Sequence, residues 1–526
     1  MPDNTRKHIR LPDFSGRRLS LPDGPEAWEP LAGSGNDVLL LGLGPKNPQD
    51  LPFVRGSARV FWLDAPQTLR DLAGSGRAPL PATWREVSVD EAVALSGQCR
   101  ACFYRYGRRL APEFWGPLLG RMDAARLAAQ KDGATPSAFL PGTDRQLLHQ
   151  ELRHALHVSG FSVITAPSSP HWDGAGGRRA LGDLKELLAG QKPALFLSVN
   201  FRGLDPDGEI FYLCRALGVP VAVWCVDNPW HLLCGVRAPW WREAAIFVSD
   251  ASFIEDLEAA GRGQAAYLPL AAAPHMLDIA ASDVEASPPL FVGRSAFQER
   301  QRFFAAARVP PHLKAKAADT PAPVYGPANG PNFHWWRKEL GVALWPGQEV
   351  RRAGLGAEMC SRERRAAWLR AGLEAGLWVI GDEGWRELVP GVNLSPPVDY
   401  YTALPLLYRR AEAVLNVTSL LLPHSLSQRH FDVWAAGGLL LSDATPGLDL
   451  FPLELTRAVT LRRPEDFAAR LRALRADPSA ARDLRAAWRR LICAKHTYAH
   501  RVARICEVLG IRTNHGHTKQ RTEICT

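Results

Sequence analysis

The sequence predicts the α/β fold class, with several parallel sheets whose faces are covered by helices. At 526 residues the chain is too long for one hydrophobic core, and its length suggests three or four domains. Short apolar runs alternate with amphipathic stretches, and most runs are followed by a turn containing Gly, Pro, Asp or Asn. Because parallel strands are buried on both faces, they are continuous apolar runs, and this alternation therefore favours parallel sheets.

Ten apolar runs are the predicted strands of these sheets. They are Asp37–Leu43, Arg59–Leu63, Phe161–Thr165, Ala194–Val199, Val219–Val226, Ala245–Val248, Leu290–Val292, Leu377–Ile380, Ala413–Val417 and Gly438–Ser442. Their spread along the chain predicts more than two α/β units.

Changes in composition divide the chain into six segments. We predict a flexible arm (1–30), a first Rossmann-like unit (31–135), a second unit (136–285), a third unit (286–476), closing helices (477–510) and a disordered tail (511–526). The small, acidic and Pro-containing stretch Ala280–Pro289 is the expected linker between the second and third units.

Composition and charge narrow the class of protein. No apolar run approaches the roughly 20 residues of a membrane helix, and the first thirty residues lack an apolar signal region; we expect a cytoplasmic protein with at most peripheral membrane contact. The formal net charge of +9 suits an anionic ligand. Nucleic acid is not expected, because no segment concentrates Lys and Arg with interleaved aromatic residues. The nine cysteines are scattered, and the single C-x-x-C pair (Cys99, Cys102) cannot close a zinc site, so no metal is expected.

The segment from Ala413 to Phe451 carries the strongest pattern, which is strand, loop, helix, strand and loop. In open α/β sheets a ligand binds beyond the carboxyl ends of the strands, so the loop 418–428 is expected to face a crevice. Ser425 and Ser427 are able to cap the following helix, whose first amides would attract a phosphate. On pattern alone, an ordinary Rossmann-type unit with a tight helix–strand joint explains the segment equally well.

The stretch SQRHFDVWAAGGLLLSDATPGLDLF resembles the signature of the CgeB-like (spore-maturation) glycosyltransferases. The segments VNFRGLDPDGEIFYLCRALGVPVAVWCVDNPWHLL, VIGDEGWRELVP, VDYYTALPLLYRRAEAVLNVTS and HTYAHR are similar to the same family, over about residues 140–505. The resemblance implies the GT-B architecture, in which two Rossmann-like domains face each other across a cleft; here an additional N-terminal α/β domain precedes them. It also implies a metal-independent, hexosyltransferase-like enzyme without a cofactor. Such an enzyme moves a sugar from a nucleotide-diphosphate donor to an unidentified acceptor: a protein, a polysaccharide or a lipid.

On this resemblance the third unit holds the donor. The implied donor-binding residues are Gly293, Arg294, His424, Ser425, Ser427, Gln428, Arg429 and Asp432. Asp432 matches the second carboxylate of the Glu-x7-Glu element of retaining GT-B enzymes, which holds the donor ribose. His424 stands where the first Glu would be, and this departure leaves the stereochemical outcome open. It also keeps open the alternative of a non-catalytic scaffold that binds a sugar or a protein partner.

Two groups of residues are predicted to act in catalysis. Arg294 follows the strand-to-helix glycine Gly293 and would neutralise the departing diphosphate. On the acceptor side, Asp227 or His231 would act as general base, while Trp230 would stack on a sugar. Asn200 and Arg202 reach the same sheet edge. The alternative is that Asp227 only forms an Asp-Asn-Pro turn and that His231 is a structural histidine.

The first unit contains half of a dinucleotide-binding fingerprint. Gly42 and Gly44 end one predicted strand, and Asp64 ends the next. Pro45 stands where a helix would begin, and Asn47 occupies the place of the third glycine. We therefore predict an accessory unit that stabilises the cleft or docks an acceptor protein. A nucleotide-cofactor enzyme in this unit is the less favoured alternative.

Overall fold

The computed structural model describes residues 9–512, apart from 32, 46, 74–78, 128–135, 167–173, 262–264, 280–286, 298 and 320–325. Residues 513–526 of the predicted tail and 280–286 of the predicted linker lie outside the described residues. All ten predicted runs contain a strand, and the α/β class is confirmed.

The strands are β1 (Arg10–Pro12), β2 (Arg18–Ser20), β3 (Trp28–Pro30), β4 (Val38–Leu41), β5 (Val60–Leu63), β6 (Arg85–Glu86), β7 (Arg100–Tyr104), β8 (Ser137–Phe139), β9 (Ser162–Ile164), β10 (Leu195–Val199), β11 (Val221–Cys225), β12 (Ala245–Val248), β13 (Ala265–Tyr267), β14 (Leu290–Val292), β15 (Trp378–Ile380), β16 (Asn393–Ser395), β17 (Val414–Asn416), β18 (Leu440–Asp443) and β19 (Thr460–Leu461).

The α-helices are α1 (Pro66–Leu72), α2 (Val89–Leu95), α3 (Gly107–Leu110), α4 (Pro112–Arg126), α5 (His149–Val158), α6 (Gly174–Gln191), α7 (Glu209–Ala216), α8 (Pro229–Leu233), α9 (Ile254–Ala260), α10 (Pro274–Leu277), α11 (Arg300–Phe303), α12 (Pro311–Asp319), α13 (Phe333–Leu340), α14 (Val350–Leu373), α15 (Gly384–Leu388), α16 (Leu404–Arg410), α17 (Gln428–Ala435), α18 (Leu453–Val459), α19 (Asp466–Ala476), α20 (Pro478–Lys495) and α21 (Tyr498–Val508).

The first unit is a five-stranded sheet in the order β3-β7-β4-β5-β6, in which only β3 is antiparallel to its neighbour. The prediction of a flexible arm is wrong for residues 10–30. Strands β1 and β2 form a hairpin there, and β3 pairs with β7. Residues 10–30 have a defined structure because they bury apolar side chains: those of Leu11, Leu21 and Trp28 are at most 9% exposed.

The first unit docks on the second through α4 and α7. Gly116 and Gly120 of α4 lie so close to Tyr212 of α7 that a Cβ atom would be 2.1 Å from the Tyr212 ring at Gly116 and 2.5 Å from its carbonyl oxygen at Gly120. Lys185 of α6 reinforces the contact, because its Nζ lies 2.7 Å from Asp123 of the first unit and 2.5 Å from Glu209 of the second. Close packing and paired charges therefore hold the two units together.

The second and third units each contain a six-stranded parallel sheet. Their orders are β13-β12-β11-β10-β8-β9 and β16-β15-β14-β17-β18-β19. Residues that follow β11 and β12, and residues that follow β14 and β17, line one common cavity. The carboxyl edges of the two sheets therefore face each other, as the predicted GT-B architecture of two Rossmann-like domains requires.

Several helices cross between the second and third units. The apolar side chains of Leu313, Phe333 and Trp336, in the segment that we assigned to the third unit, join the core of the second. Helix α14 contributes to both cores, and α21 packs on α5 of the second unit. The apolar faces of these helices are buried on the second sheet, which explains why no single boundary separates the two cores.

Candidate functional site

The cleft between the second and third sheets holds a cavity of about 170 Å³. It is lined by Val226, Ser249, Leu270, Phe291, Gly293, Arg294, Arg365, Val417, Thr418, Ser419, Leu422, Ser425, Leu426, Ser427 and Arg429. The lining contains three arginines and no carboxylate. Such a surface attracts an anion, because the positive charges lie in a concave site between low-dielectric walls. We call this site the cleft cavity.

Arg365 of α14 holds the loop that follows β14. Its Nη1 donates to the carbonyl oxygen of Arg294 at 2.8 Å, and its Nη2 donates to that of Ser295 at 3.3 Å. Burial lowers the pKa of Arg365, and this effect is opposed by the nearby carboxylate of Glu358, whose Oε1 lies 3.7 Å from Nη2. The Arg294 side chain itself is exposed at the cavity. Arg365 thus fixes the backbone while the guanidinium of Arg294 stays accessible.

Arg429, in the first turn of α17, is held by neutral oxygen atoms. Its Nη1 donates to the carbonyl oxygen of Val292 at 2.6 Å, and its Nε donates to Asn416 Oδ1 at 3.0 Å. Its guanidinium also lies over the ring of Phe291, 5.6 Å from the centroid. Burial lowers the pKa of Arg429. Because carbonyl and amide oxygens orient this cation without neutralising it, the arrangement favours a bound anion.

The floor of the cleft cavity is fixed by a buried ion pair. Arg364 Nη2 lies 2.7 Å from Asp443 Oδ2, and both side chains are at most 2% exposed. Asp443 also accepts hydrogen bonds from the Thr418 amide at 3.0 Å and from the Thr418 hydroxyl at 2.8 Å. These bonds define the course of the loop after β17, and they preorganise the cavity wall.

The structure brings Ser425 and Ser427 to the cavity, as the sequence predicts. The Ser427 hydroxyl donates to Asn416 Oδ1 at 2.8 Å and caps α17 together with His430. His424 lies beside them in the chain, but its ring is not part of the lining. Its backbone amide donates to Asp250 Oδ2 of the second unit at 2.9 Å, so the loop bridges the cleft.

Gly293 also lines the cavity, although its predicted role needs a correction. Its amide donates to the carbonyl oxygen of Ile380 at 3.0 Å, and its carbonyl oxygen accepts a hydrogen bond from Trp385 Nε1 at 2.8 Å. The Gly293 amide is therefore engaged within the sheet and is not free for a phosphate. Side chains, and not the Gly293 amide, therefore supply the hydrogen-bond donors at the end of β14.

The prediction that Asp432 binds the donor ribose disagrees with the structure. The side chain is 1% exposed and is absent from the cavity lining. Its Oδ1 accepts from Gln428 Nε2 at 2.8 Å and from the Ala273 amide at 3.2 Å, and its Oδ2 accepts from the Tyr400 hydroxyl at 2.8 Å. Burial raises its pKa to about 7. Asp432 is thus an anchor between the units, since α17 turns this face away from the cleft.

Gln428 belongs to the same anchor, contrary to its predicted role. Its Nε2 donates to the Ala271 carbonyl oxygen at 2.8 Å, and its Oε1 accepts from the Tyr498 hydroxyl at 2.8 Å. Both partners lie on chain segments that cross between the units. We call this group the joint: Ala271–Ala273, Tyr400, Gln428, Asp432 and Tyr498.

On the acceptor side, three predicted residues lie together at the carboxyl edge of the second sheet. Asn200 Nδ2 donates to Asp227 Oδ2 at 2.7 Å, and Asn200 Oδ1 accepts from the Val226 amide at 2.9 Å. The Asp227 side chain reaches solvent, yet the surrounding protein desolvates the carboxylate and raises its pKa. The Asn200 hydrogen bond and the charge of Arg202 act in the opposite direction. A solvent-accessible carboxylate with a raised pKa is a chemically reasonable general base.

His231 and Trp230 do not belong to this group. The ring of His231 packs against Phe303, Phe304 and Phe333, and burial lowers its pKa to about 3. Trp230 is fully buried, with its ring edge-on to Trp241. The predicted general base and the predicted sugar platform are therefore core residues. The short helix α8 turns both of them inward, away from the cleft.

In the first unit, the residues of the dinucleotide-binding fingerprint contact other groups of the protein. Trp28 Nε1 donates to the Gly42 carbonyl oxygen at 3.1 Å, and a Cβ at Gly44 would be 2.6 Å from the Trp28 ring. Asp64 accepts from the amides of Leu43 at 2.9 Å and Ala65 at 2.8 Å. The loop and the acid thus stabilise the unit, which disagrees with the cofactor alternative.

Arg365, Asn416 and Asp443 were not predicted from the sequence. Asn416 and Asp443 carry a readable signal, because each is a polar residue at the carboxyl end of an apolar strand. Arg365 lies in the charged run SRERR of a long helix, where nothing local separates it from surface arginines. Only the packing of α14 beneath the cleft brings it to the site.

Within the described ranges, no group of three or more His, Cys, Asp or Glu side chains is placed to hold a metal ion. None of the described helices has the length and apolar character that crossing a membrane requires.

One protein-family model matches the chain, over part of the third unit and most of the closing helices. Residues 362–507 match the family model of glycosyl transferase-like proteins, and this range includes Arg365, the loop 418–428 and α17. No curated protein sequence matches the chain.

The solved structures that are similar to this chain include the following three. Phage T4 BGT in complex with UDP and Mn²⁺ is 9% identical, with 72% of this chain and 100% of that chain covered and a TM-score of 0.37. A UDP-glucosyltransferase from Polygonum tinctorium capable of glucosylating indoxyl is 10% identical, with 72% and 100% covered and a TM-score of 0.34. Anabaena HepE in complex with UDP and glucose is 9% identical, with 72% and 99% covered and a TM-score of 0.38.

Proposed function

We propose that this protein is a cytoplasmic glycosyltransferase that binds a nucleotide-diphosphate sugar in the cleft cavity. The observation that carries the proposal is the lining of that cavity, in which Arg294, Arg365 and Arg429 are accompanied by no carboxylate. The family match over residues 362–507 supports the same chemistry. The resemblance of SQRHFDVWAAGGLLLSDATPGLDLF to the CgeB-like glycosyltransferases supports a place in that subfamily.

The arginines suit the departure of a diphosphate. A guanidinium is planar, permanently charged and able to donate two parallel hydrogen bonds to phosphate oxygens. As the bond between sugar and diphosphate breaks, negative charge grows on the diphosphate, and prepositioned cations stabilise that charge most. Arg365 and Arg429 are held in place by carbonyl and amide oxygens before any ligand binds. We therefore assign charge neutralisation to arginines and propose a reaction that needs no divalent metal.

The acceptor hydroxyl is proposed to lie beside Asp227. This carboxylate is accessible to solvent and is oriented by the hydrogen bond from Asn200. Its raised pKa makes it a stronger base than an ordinary aspartate. Asp227 would take the proton of the acceptor hydroxyl while that oxygen attacks the anomeric carbon. Arg202 and Asn200 would hold Asp227 and the acceptor in place.

A thermal-shift screen of nucleotide sugars on the full-length protein tests the donor site. Stabilisation by one nucleotide sugar is expected, and it identifies the donor by mass action. The Arg294→Gln variant should reduce this stabilisation without loss of the fold, because the Arg294 side chain lines the cavity and makes no described hydrogen bond within the protein. Arg370→Gln, an exposed arginine on the same unit outside the cavity, is the matched control.

The outcomes separate enzyme from scaffold. Stabilisation together with sugar transfer to water or to an acceptor supports the proposal, and excess chelator should leave transfer intact. Stabilisation without hydrolysis or transfer would favour a sugar-binding scaffold. If no nucleotide sugar stabilises the protein, or if Arg294→Gln and Arg370→Gln behave alike, the donor site is elsewhere.

A further inference from the structure

A second pocket, of about 640 Å³, opens at the opposite edge of the third sheet. It is lined by Ser287, Pro288, Arg409, Arg410, Ala411, Glu412, Gly437, Leu474, Arg475, Pro478, Ala481, Arg482 and Arg485. Ser287, Glu412 and Gly437 come shortly before β14, β17 and β18, so the pocket lies at the amino ends of these strands. It shares no residue with the cleft cavity. We call it the amino-edge pocket.

The charge of this pocket is unbalanced. Five of its lining residues are arginines, and Glu412 is the one carboxylate among them. Arg475 forms a bidentate pair with Glu412: its Nε lies 2.5 Å from Oε1, and its Nη2 lies 2.8 Å from Oε2. Among the described lining residues the four remaining arginines have no hydrogen-bonded carboxylate, so this part of the pocket carries a surplus of positive charge.

Two of those four arginines are held by neutral carbonyl oxygens. Arg409 Nη1 donates to the Ile279 carbonyl oxygen at 3.1 Å, and Arg485 Nη2 donates to that of Glu412 at 2.7 Å. These bonds orient the guanidinium groups and leave their charge in place. The side chains of Arg410 and Arg482 are exposed and make neither a hydrogen bond nor an ion pair within the described part of the chain.

Two buried polar atoms of the pocket residues also lack a partner. The Ser287 hydroxyl and the Arg485 Nε are inaccessible to solvent and make no hydrogen bond within the described structure. A buried donor without a partner costs free energy, and most such groups in folded proteins are paired. Because these two atoms are closed to solvent, the inference of a ligand rich in hydrogen-bond acceptors and negative charge comes from the charge surplus of the lining.

We propose that the amino-edge pocket binds a phosphoryl group, carried either by a soluble phosphate compound or by a lipid headgroup. A phosphoryl group offers three oxygen acceptors and a charge near −2, which matches several guanidinium donors better than a single carboxylate does. The pocket volume leaves room for the group to which the phosphate is attached.

Binding assays on the full-length protein test this proposal. Calorimetry with inorganic phosphate and pyrophosphate probes a soluble ligand. Co-sedimentation with phosphatidylglycerol vesicles, compared with phosphatidylcholine vesicles, probes a lipid headgroup. The test variant is Arg410→Gln with Arg482→Gln, since both side chains are exposed and unpaired. The control is Arg370→Gln with Arg490→Gln, two exposed arginines of α14 and α20 that lie outside the pocket.

We expect the test variant to weaken binding by about tenfold or more, and the control to leave it unchanged. Weakening in calorimetry alone assigns a soluble phosphate compound, and weakening in co-sedimentation alone assigns a lipid headgroup. The loss caused by Arg410→Gln with Arg482→Gln should be the same in an Arg294→Gln background, which separates this site from phosphate binding in the cleft cavity. Absence of binding to every probe, or equal losses in test and control variants, would overturn the proposal.

Discussion

The two faces of helix α17 meet opposite environments. On the cleft face, Ser427 and Arg429 border a cavity whose cations have no hydrogen-bonded carboxylate. On the face that meets the joint, Gln428 and Asp432 are saturated by partners from three other chain segments. Residues adjacent in sequence therefore have different surroundings: some border the cleft cavity and others hold the units together, according to which segments pack over them. Substitutions on the two faces should therefore move different observables.

The largest effect is expected in the pH dependence of stability at the joint. The ordinary pKa of Asp432 is 3.8, and burial raises it to about 7 in the folded protein. Between these values the folded state holds a proton that the unfolded chain releases. Raising the pH through this window therefore lowers stability, by on the order of 4 kcal/mol at ~1.36 kcal/mol per pKa unit.

Asp432→Asn removes this titration and keeps the shape of the side chain. Urea denaturation at pH 4 and at pH 8 should show the variant gaining stability relative to wild type as the pH rises. Glu151, whose pKa is also raised by burial, titrates in both proteins, so the difference between the two profiles reports Asp432 together with its interaction with Glu151. Parallel pH profiles for the two proteins would mean that water reaches the joint and that Asp432 is ionised in the folded state.

Asp432→Ala is the next most disruptive change. It leaves the Tyr400 hydroxyl, the Gln428 amide and the Ala273 backbone amide without their acceptor, at a cost of about 1–3 kcal/mol for each group that stays buried and unpaired. We expect urea denaturation to show a large loss of stability. Donor affinity of the folded protein, measured by calorimetry, should not change. A selective loss of donor affinity would restore the ribose-binding role.

A smaller effect, larger on turnover than on donor binding, is expected on the cleft face. Because Arg294 is exposed and would act on charge that grows as the diphosphate leaves, Arg294→Ala should lower kcat more than it weakens donor binding. The expected loss in kcat/KM is about 1.5–3 kcal/mol, the scale of a hydrogen bond to a charged group. Steady-state kinetics and calorimetry give the two numbers. Equal losses in both would make Arg294 a ground-state anchor.

The smallest effect on activity is expected at His231. Its ring is surrounded by Phe303, Phe304 and Phe333, and its buried Nε2 makes no hydrogen bond with the part of the chain that the structure describes. His231→Leu places an apolar side chain among these aromatic rings, so turnover of the folded variant should stay close to that of wild type. Asp227→Asn is the comparison that should reduce turnover strongly. Abolished turnover in His231→Leu, with stability intact, would return the histidine to the catalytic group.

Local sequence patterns were sufficient to predict ten of the nineteen strands in the described chain and the sheet edge at which we propose that the donor binds. Apolar runs such as Leu290–Val292 and Ala413–Val417 are local signals, because a strand buried on both faces needs continuous apolar residues. The carboxyl-edge rule then placed Arg294, Ser425 and Ser427 at the cleft. These conclusions required no knowledge of which elements pack together.

Which polar side chains remain accessible depends on contacts between segments that are distant in the sequence. Asp432 and Gln428 are engaged because the segment Ala271–Ala273 and helix α21 cross over α17. Arg365 reaches the cleft because α14 passes beneath the loop after β14. Burial and pairing depend on residues distant in sequence, and the same aspartate is a ligand or an anchor according to which of them covers it.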